Sequence, residues 1–246
     1  MTESNTTMTT EETTMPSACA SASVLTEDLG KIFEMGVCLL YNKPYNGKYK
    51  YGLEQAEKIK TRISSLLYLF PDCFHTAKNG SRYDFTAETD PNLYLSAKTT
   101  KKDGKVCPQV IGQPGKKKFC EYFSLDQNVT LEEIKTYIQT HITNLLDTYF
   151  DSTFDCPIVY YNKHKDLAIF IKTHTKINWS ETPIVFGHIK KNKVWNESTT
   201  ISIEKNGKTI SIGEFQVHKH RDCIKFRWCF ENIIKKFSEH FEITHI

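Results

Sequence analysis

Tyr83-Asp84-Phe85, followed after a polar gap by LYLSAKTTKKDGKVCPQVIGQPGKKKFCEYF at 93–123, is the stretch on which the fold turns. Tyr83–Ala87 and Leu93–Thr99 flank the turn signal Asp90-Pro91-Asn92, so they read as two adjacent strands. Alternation along the second strand places Ser96 and Lys98 on one face and Leu95 and Ala97 on the other. Eleven residues separate Asp84 from Ser96, and pairing the strands sets a carboxylate beside a lysine. The chain then changes character. Seven lysines (98, 101, 102, 105, 116, 117 and 118) face one acid, Asp103, and Pro108, Gly112, Pro114 and Gly115 mark 98–118 as a basic loop.

Helical periodicity appears on both sides of this stretch. Leu29, Ile32, Phe33 and Val37 share a face over 26–40, and Ala56, Ile59, Ile63, Leu66 and Leu67 do so over 52–69. Thr130 and Glu133 form a capping box that opens a helix through Ile134, Tyr137, Ile138, Ile142 and Leu145 to about 149. A fourth helix is expected after Asp222 as N-cap, through Phe226, Phe230, Ile233, Ile234 and Phe237. Strands are expected at 157–162 and 166–173, which form a hairpin, and at 183–189, 199–205 and 208–217. The last two are joined by Asn206-Gly207, a two-residue hairpin signal. The order predicts an α+β fold, a single domain with a central mixed β-sheet flanked by helices.

Composition narrows the function classes. Of 246 residues, 39% are hydrophobic, which excludes a disordered or fibrous chain. No apolar run approaches the roughly 18 residues of a membrane span, and no secretory signal is visible. Residues 1–24 contain Glu3, Glu11 and Glu12 but no Lys or Arg, and 11 of the first 23 residues are Ser or Thr. Such a stretch cannot bury enough apolar surface to order itself, so it reads as a disordered leader before a domain at 25–246. Without it, 32 bases stand against 26 acids. The eight cysteines (19, 38, 73, 107, 120, 156, 223 and 229) include no CxxC spacing, and Cys223 and Cys229 fall on the fourth predicted helix. They read as reduced thiols of an intracellular protein. No glycine-rich phosphate loop occurs, so a nucleotide cofactor is not expected. His218 and His220 alternate on a strand end without a third metal ligand nearby.

A carboxylate and a lysine on adjacent strands suit phosphodiester hydrolysis. The carboxylate can hold a divalent metal that polarises the phosphate, and the lysine can neutralise developing charge or orient water. At Asp84…Ser96-x-Lys98 the chain resembles the PD-(D/E)xK nuclease superfamily, and within it type II restriction endonucleases; the KVCPQVIGQP segment at 105–114 is also similar to segments of such enzymes. The resemblance covers roughly 50–125. It departs from the pattern at Tyr83, where a proline is usual, and at Ser96, where an acid is usual. It implies a restriction-endonuclease-like fold, Mg2+ as cofactor and double-stranded DNA as substrate. Asp84 and a helix acid, Glu54, would then hold metal, with Glu88 and Glu121 as other sources of that acid. Ser96 and Lys98 complete the expected catalytic set, and two-strand cutting implies a symmetric homodimer.

Candidate DNA contacts are Lys101, Lys102, Lys105, Gln109, Gln113, Lys116 and Lys117 in the basic loop, and Arg221, Lys225 and Arg227 in HKHRDCIKFRW at 218–228. Lys190, Lys191 and Lys193 with Trp195 form a third basic-aromatic segment. An alternative site is Glu214 and Gln216 on one strand face, with Asp166 as the acid. The rival classes are a non-catalytic nucleic-acid-binding protein and an interaction protein with an incidental positive surface.

Overall fold

A computed structural model describes residues 26–77, 81–102, 104–191, 193–205 and 207–246. The predicted leader and Asn206 of the expected turn lie outside the described residues. The chain starts with helices α1 (Thr26–Leu40) and α2 (Leu53–Arg62), then strands β1 (Cys73–His75), β2 (Phe85–Ala87), β3 (Tyr94–Thr100) and β4 (Lys105–Val106). Helices α3 (Lys116–Phe123), α4 (Leu131–Thr140) and α5 (Ile142–Phe154) precede the hairpin of β5 (Ile158–Asn162) and β6 (Leu167–Thr173). Then come β7 (Ile184–Phe186), a short helix α6 (Gly187–Lys190), β8 (Ser198–Lys205), β9 (Lys208–Val217), β10 (Ile224–Cys229), α7 (Phe230–Lys236) and β11 (Phe241–His245).

These strands build two sheets rather than one. The first is mixed, in the order β1-β2-β3-β5-β6-β11, with β3 and β5 parallel and every other pairing antiparallel. The second is antiparallel, in the order β4-β10-β9-β8-β7. Alternation sorts the first sheet's side chains to two buried faces. Phe85, Leu95, Val159, Ala168 and Phe170 pack under α1 and α2. Ile158, Tyr160, Ile169 and Ile171 point the other way, into a core shared with α5 and the second sheet.

Helix α5 is buried along most of its length, from Leu145 to Phe154, and lies against both sheets. Tyr149 stacks on Phe226 at 4.4 Å and Phe154 on Phe230 at 5.6 Å. A helix apolar on so much of its surface belongs inside. The layers are also tied by polar contacts: Glu231 of α7 accepts hydrogen bonds from Tyr160 Oη (2.9 Å), Asn162 Nδ2 (2.6 Å) and the Lys165 ammonium.

Several local expectations need correction. The helix expected from Asp222 through Phe226 is strand β10: Ile224, Phe226 and Trp228 are buried, while Lys225, Arg227 and Cys229 alternate outward. The i, i+4 spacing of Phe226 and Phe230 mimics a helix, but Phe226 pairs with Phe215 in the sheet, and only 230–236 is helical. Its ring lies so close to Gly213 that a Cβ there would meet it at 2.7 Å. Asp222 caps a different helix, accepting from Lys116 N at 2.6 Å at the start of α3, where negative charge is favoured. Thus 98–118 is not one loop; it holds the end of β3, all of β4 and the first turn of α3.

The helix expected over 52–69 ends at Arg62 and continues as a 3-10 turn at Ser64–Tyr68. The capping box forms as expected, with Glu133 N donating to Thr130 Oγ1 at 3.2 Å and Thr130 N donating to Glu133 Oε2 at 2.6 Å. Its helix, however, breaks at His141, whose φ of −117° and ψ of 24° separate α4 from α5. The run at 183–189 is strand only to Phe186 and then turns into α6. All seven described cysteines are unpaired, and Cys223 directly precedes β10 and Cys229 ends it, so neither is on a helix.

Trp228 is fully buried, and its Nε1 donates to Thr153 Oγ1 at 2.9 Å. Trp228→Ala should cost about 3–5 kcal/mol through lost burial and the cavity left. Thr153→Val should cost about 1–3 kcal/mol by orphaning the indole N–H. Urea unfolding monitored by circular dichroism measures both, and equal costs would contradict this division.

Candidate active site

Asp84 stands immediately before β2, its backbone carbonyl accepting from Thr76 N (2.9 Å) and Ala77 N (3.2 Å). This holds it beside β1, while its side chain reaches β3. Asp84 Oδ2 accepts from Ala97 N at 2.8 Å and from Ser96 Oγ at 3.1 Å, and Lys98 Nζ lies 3.8 Å away. The two charged side chains are only 15% (Lys98) and 19% (Asp84) exposed. Ser96 is fully buried, and its hydroxyl also accepts from Gln109 Nε2. The strands therefore bring Asp84, Ser96 and Lys98 together on the face turned away from α1 and α2.

Gln109 arrives from the segment after β4. It is 9% exposed, and its Oε1 has no hydrogen-bond partner among the described residues. Two thiols adjoin the cluster. Burial pushes the Cys156 thiol up to about 12, with Asp84 and Lys98 both close enough to act on it. Burial also raises Cys107, against the opposing pull of Lys225, Arg227 and Lys98. Both thiols are therefore held protonated, which removes them as nucleophiles. Lys225 and Arg227 of β10 and Lys98 of β3 thus all act on the Cys107 thiol.

The outer face of the second sheet continues from there. Glu214 of β9 accepts from Lys105 Nζ (2.6 Å), Arg227 Nη2 (3.1 Å) and Gln216 Nε2 (2.7 Å). Thr200 of β8 lies opposite Glu214 and Ser198 opposite Gln216. A groove of about 810 Å3 follows, lined in part by Thr200, Ser202, Glu214, Lys190, Lys191 and Lys193. Trp195 is not part of a basic-aromatic surface, because its ring is buried in the core.

Other sequence candidates fall elsewhere. Glu54 is on α2, across the sheet from Asp84, exposed and paired with Lys58 at 2.7 Å. It shares a groove of about 610 Å3 with Lys58, Arg62, Tyr161, Lys163 and Asp166. Asp166 is thus beside Glu54 and Arg62, and is not brought to Glu214 and Gln216. Glu88 pairs with Lys43, and Glu121 is exposed on α3. Lys101 and Lys102 lie in the turn after β3. Gln113 and Lys117 line a groove with Val110, Lys118, Tyr122 and Asp222, and Lys116 opens α3. Arg221 is exposed before β10, and His218 lies 3.3 Å from Glu197.

Among the described residues, no group of three or more His, Cys, Asp or Glu is placed to hold a metal ion. The donors at Asp84 nevertheless suit Mg2+, which prefers oxygen, keeps several waters and needs only one or two carboxylates alongside substrate phosphates. The orphaned Gln109 Oε1 is the observation that favours such an occupant. Gln109 stood in the sequence as one more polar residue of a basic loop; nothing in its neighbours signals a position beside Ser96. Lys225 and Arg227 alternate outward on a strand, a signal that the i, i+4 spacing of Phe226 and Phe230 masks in the sequence.

No family model matches the chain, and no solved structure matches it. The chain is 50% identical over 222 residues to Type II restriction enzyme CviAII of Paramecium bursaria Chlorella virus 1. The matched part is 90% of this chain and 63% of that protein, so the chain spans less than two thirds of the relative's length.

Burial raises the Glu214 carboxyl, but the hydrogen bonds from Lys105 and Gln216 and the charge of Arg227 outweigh it and hold it below its usual value. A depressed carboxyl stabilises the fold above its unfolded pKa, and that contribution is lost as pH falls through the folded pKa. Glu214→Gln should therefore be less stable than wild type near neutrality, with the difference closing as pH falls below the ordinary glutamate value of about 4.3. Thermal melting across that range tests it; a constant difference would contradict the assignment.

Proposed function

We propose that this chain is a Mg2+-dependent, sequence-specific endonuclease for double-stranded DNA, of the type II restriction enzyme kind. The observation that carries the reading is the largely buried Asp84–Lys98 pair where β2 meets β3, its carboxylate held by Ala97 N and the Ser96 hydroxyl. The 50% identity to a protein named as a type II restriction enzyme supports it. So does the strand setting: Asp84 stands immediately before β2, which pairs antiparallel with β3, the strand that carries Ser96 and Lys98. On this reading the chain acts on intracellular DNA as a homodimer, since cutting both strands takes two copies of one site related by symmetry.

Asp84 would hold the cation, with the open oxygen of Gln109 nearby. Bound there, Mg2+ would polarise the scissile phosphate and acidify a water. The chain's own groups do the rest. The Ala97 N–H and Ser96 hydroxyl fix the Asp84 carboxylate in one orientation. Lys98, held close to Asp84 by the sheet, presents an ammonium where charge develops on the phosphate, and a preorganised donor needs no rearrangement at that moment. Lys225 and Arg227 project outward from strand β10 and would hold the duplex backbone.

One observation favours a second reading. Ser96 stands where an acid is usual, leaving Asp84 as the cluster's carboxylate, which would suit a nucleic-acid-binding protein that has lost cleavage.

Incubation with plasmid DNA and Mg2+ separates the two. The nuclease reading expects discrete fragments, with Asp84→Asn and Lys98→Ala each slowing cleavage by about 10²–10³-fold while gel retardation persists. Lys225→Ala should weaken retardation and lower the salt slope by about one. Retardation without fragments would favour the binder, and full cleavage by Lys98→Ala would place the chemistry elsewhere.

A further inference from the structure

Gln109 is held more elaborately than a DNA-contacting loop residue needs to be. Its N–H donates to Ser152 O at 3.3 Å, and its carbonyl accepts from Ile111 N at 2.6 Å, closing a γ-turn. The central residue of that turn, Val110, has a φ of 61°. A β-branched residue in the left-handed region is strained, and such strain persists only where the surroundings impose it. The segment folds back tightly enough that a Cβ on Gly112 would meet Pro108 O at 2.5 Å. Gly112 O and Pro114 O then accept from Phe226 N and Ile224 N, both at 2.9 Å, which fastens the segment to β10.

All of this delivers one amide. The Ser96 hydroxyl has a single proton and gives it to Asp84, so toward Gln109 it can only accept. That fixes Nε2 on Ser96 and leaves Oε1 as a buried acceptor with no partner among the described residues. A buried acceptor left unpaired is costly. A divalent cation with oxygen ligands would satisfy it.

We propose that Gln109 Oε1 is a ligand of the divalent cation held at Asp84, supplying the second protein oxygen that Ser96 does not. The inference rests on the metal-dependent reading above. Amide and carboxylate oxygens together select Mg2+ or Mn2+ over softer metals.

Calorimetric titration of the full chain with Mn2+, without DNA, tests it. Gln109→Ala should weaken Mn2+ binding by about tenfold. Gln109→Glu, nearly the same in size, should tighten it by about tenfold through its added charge. Asp84→Asn should abolish binding. If Asp84→Asn abolishes binding while Gln109→Glu leaves it unchanged, Gln109 only buttresses Ser96 and the inference falls, with the metal reading intact. Undiminished Mn2+ binding in Asp84→Asn would overturn both. Circular dichroism of each variant monitors the fold, and should Gln109→Ala unfold, the Gln109→Glu titration decides.

Discussion

Strand β3 is paired on both edges, antiparallel to β2 and parallel to β5, so each of its side chains is committed to one of two buried faces. Leu95 and Ala97 go to the core under α1 and α2; Ser96, Lys98 and Thr100 go toward the second sheet. A shift of one residue would exchange the two sets, driving Lys98 into the apolar layer and Leu95 into the site. The apolar demand of one face thus fixes the polar chemistry of the other. The backbone takes part as well, because Ala97 turns its side chain to the core while its N–H binds the Asp84 carboxylate.

An ion pair as sheltered as Asp84 and Lys98 is a poor investment for stability alone. Desolvation of both charges offsets much of their attraction, and at 3.8 Å the contact is loose. The closer partners of Asp84 are Ala97 N and Ser96 Oγ, and both engage Oδ2. The carboxylate is therefore held by groups other than the lysine, which leaves the ammonium available to a third party. The second sheet repeats the arrangement with opposite emphasis: Glu214 is engaged by Lys105, Arg227 and Gln216 together, and Arg227 keeps a buried Nε without a partner among the described residues. Here one carboxylate meets three donors.

What could be read from sequence divides along physical lines. Elements whose signal is local emerge plainly: the β2–β3 pair from its turn, the α4 cap from Thr130 and Glu133, and the β8–β9 hairpin from Asn206-Gly207 between its two strand runs. Elements decided by long-range contacts do not. Phe226 and Phe230 fit a helix or a strand equally well, and the choice is made by Phe215 and Gly213 on the neighbouring strand. The first turn of α3 looked like loop because its cap, Asp222, lies 106 residues away. Within the candidate site, Asp84, Ser96 and Lys98 were legible because pairing and alternation are short-range rules. Glu54 and Gln109 were not, since the first depends on which side of the sheet α2 occupies and the second on a strained turn.

How the two sheets are joined is set by a few polar contacts. Glu231, at the start of α7, directly follows β10 and the Phe230 link, and its carboxylate is held by Tyr160 and Asn162 of β5, the strand beside β3. Phe230 N donates to Gly104 O, fixing the β3–β4 connection to the same point. Burial raises the Glu231 carboxyl, but bonds from Lys165, Asn162 and Tyr160 outweigh it and keep it below its usual value. One charged group thereby clamps β5, the chain leaving β3 and the end of β10. The Gln109 segment provides a second clamp, bonded to α5 through Ser152 and to β10 through Gly112 and Pro114. With both in place, β5, β10 and α5 are tied to one another before any ligand arrives. Elements fixed to one another in advance need no rearrangement when a ligand binds between them.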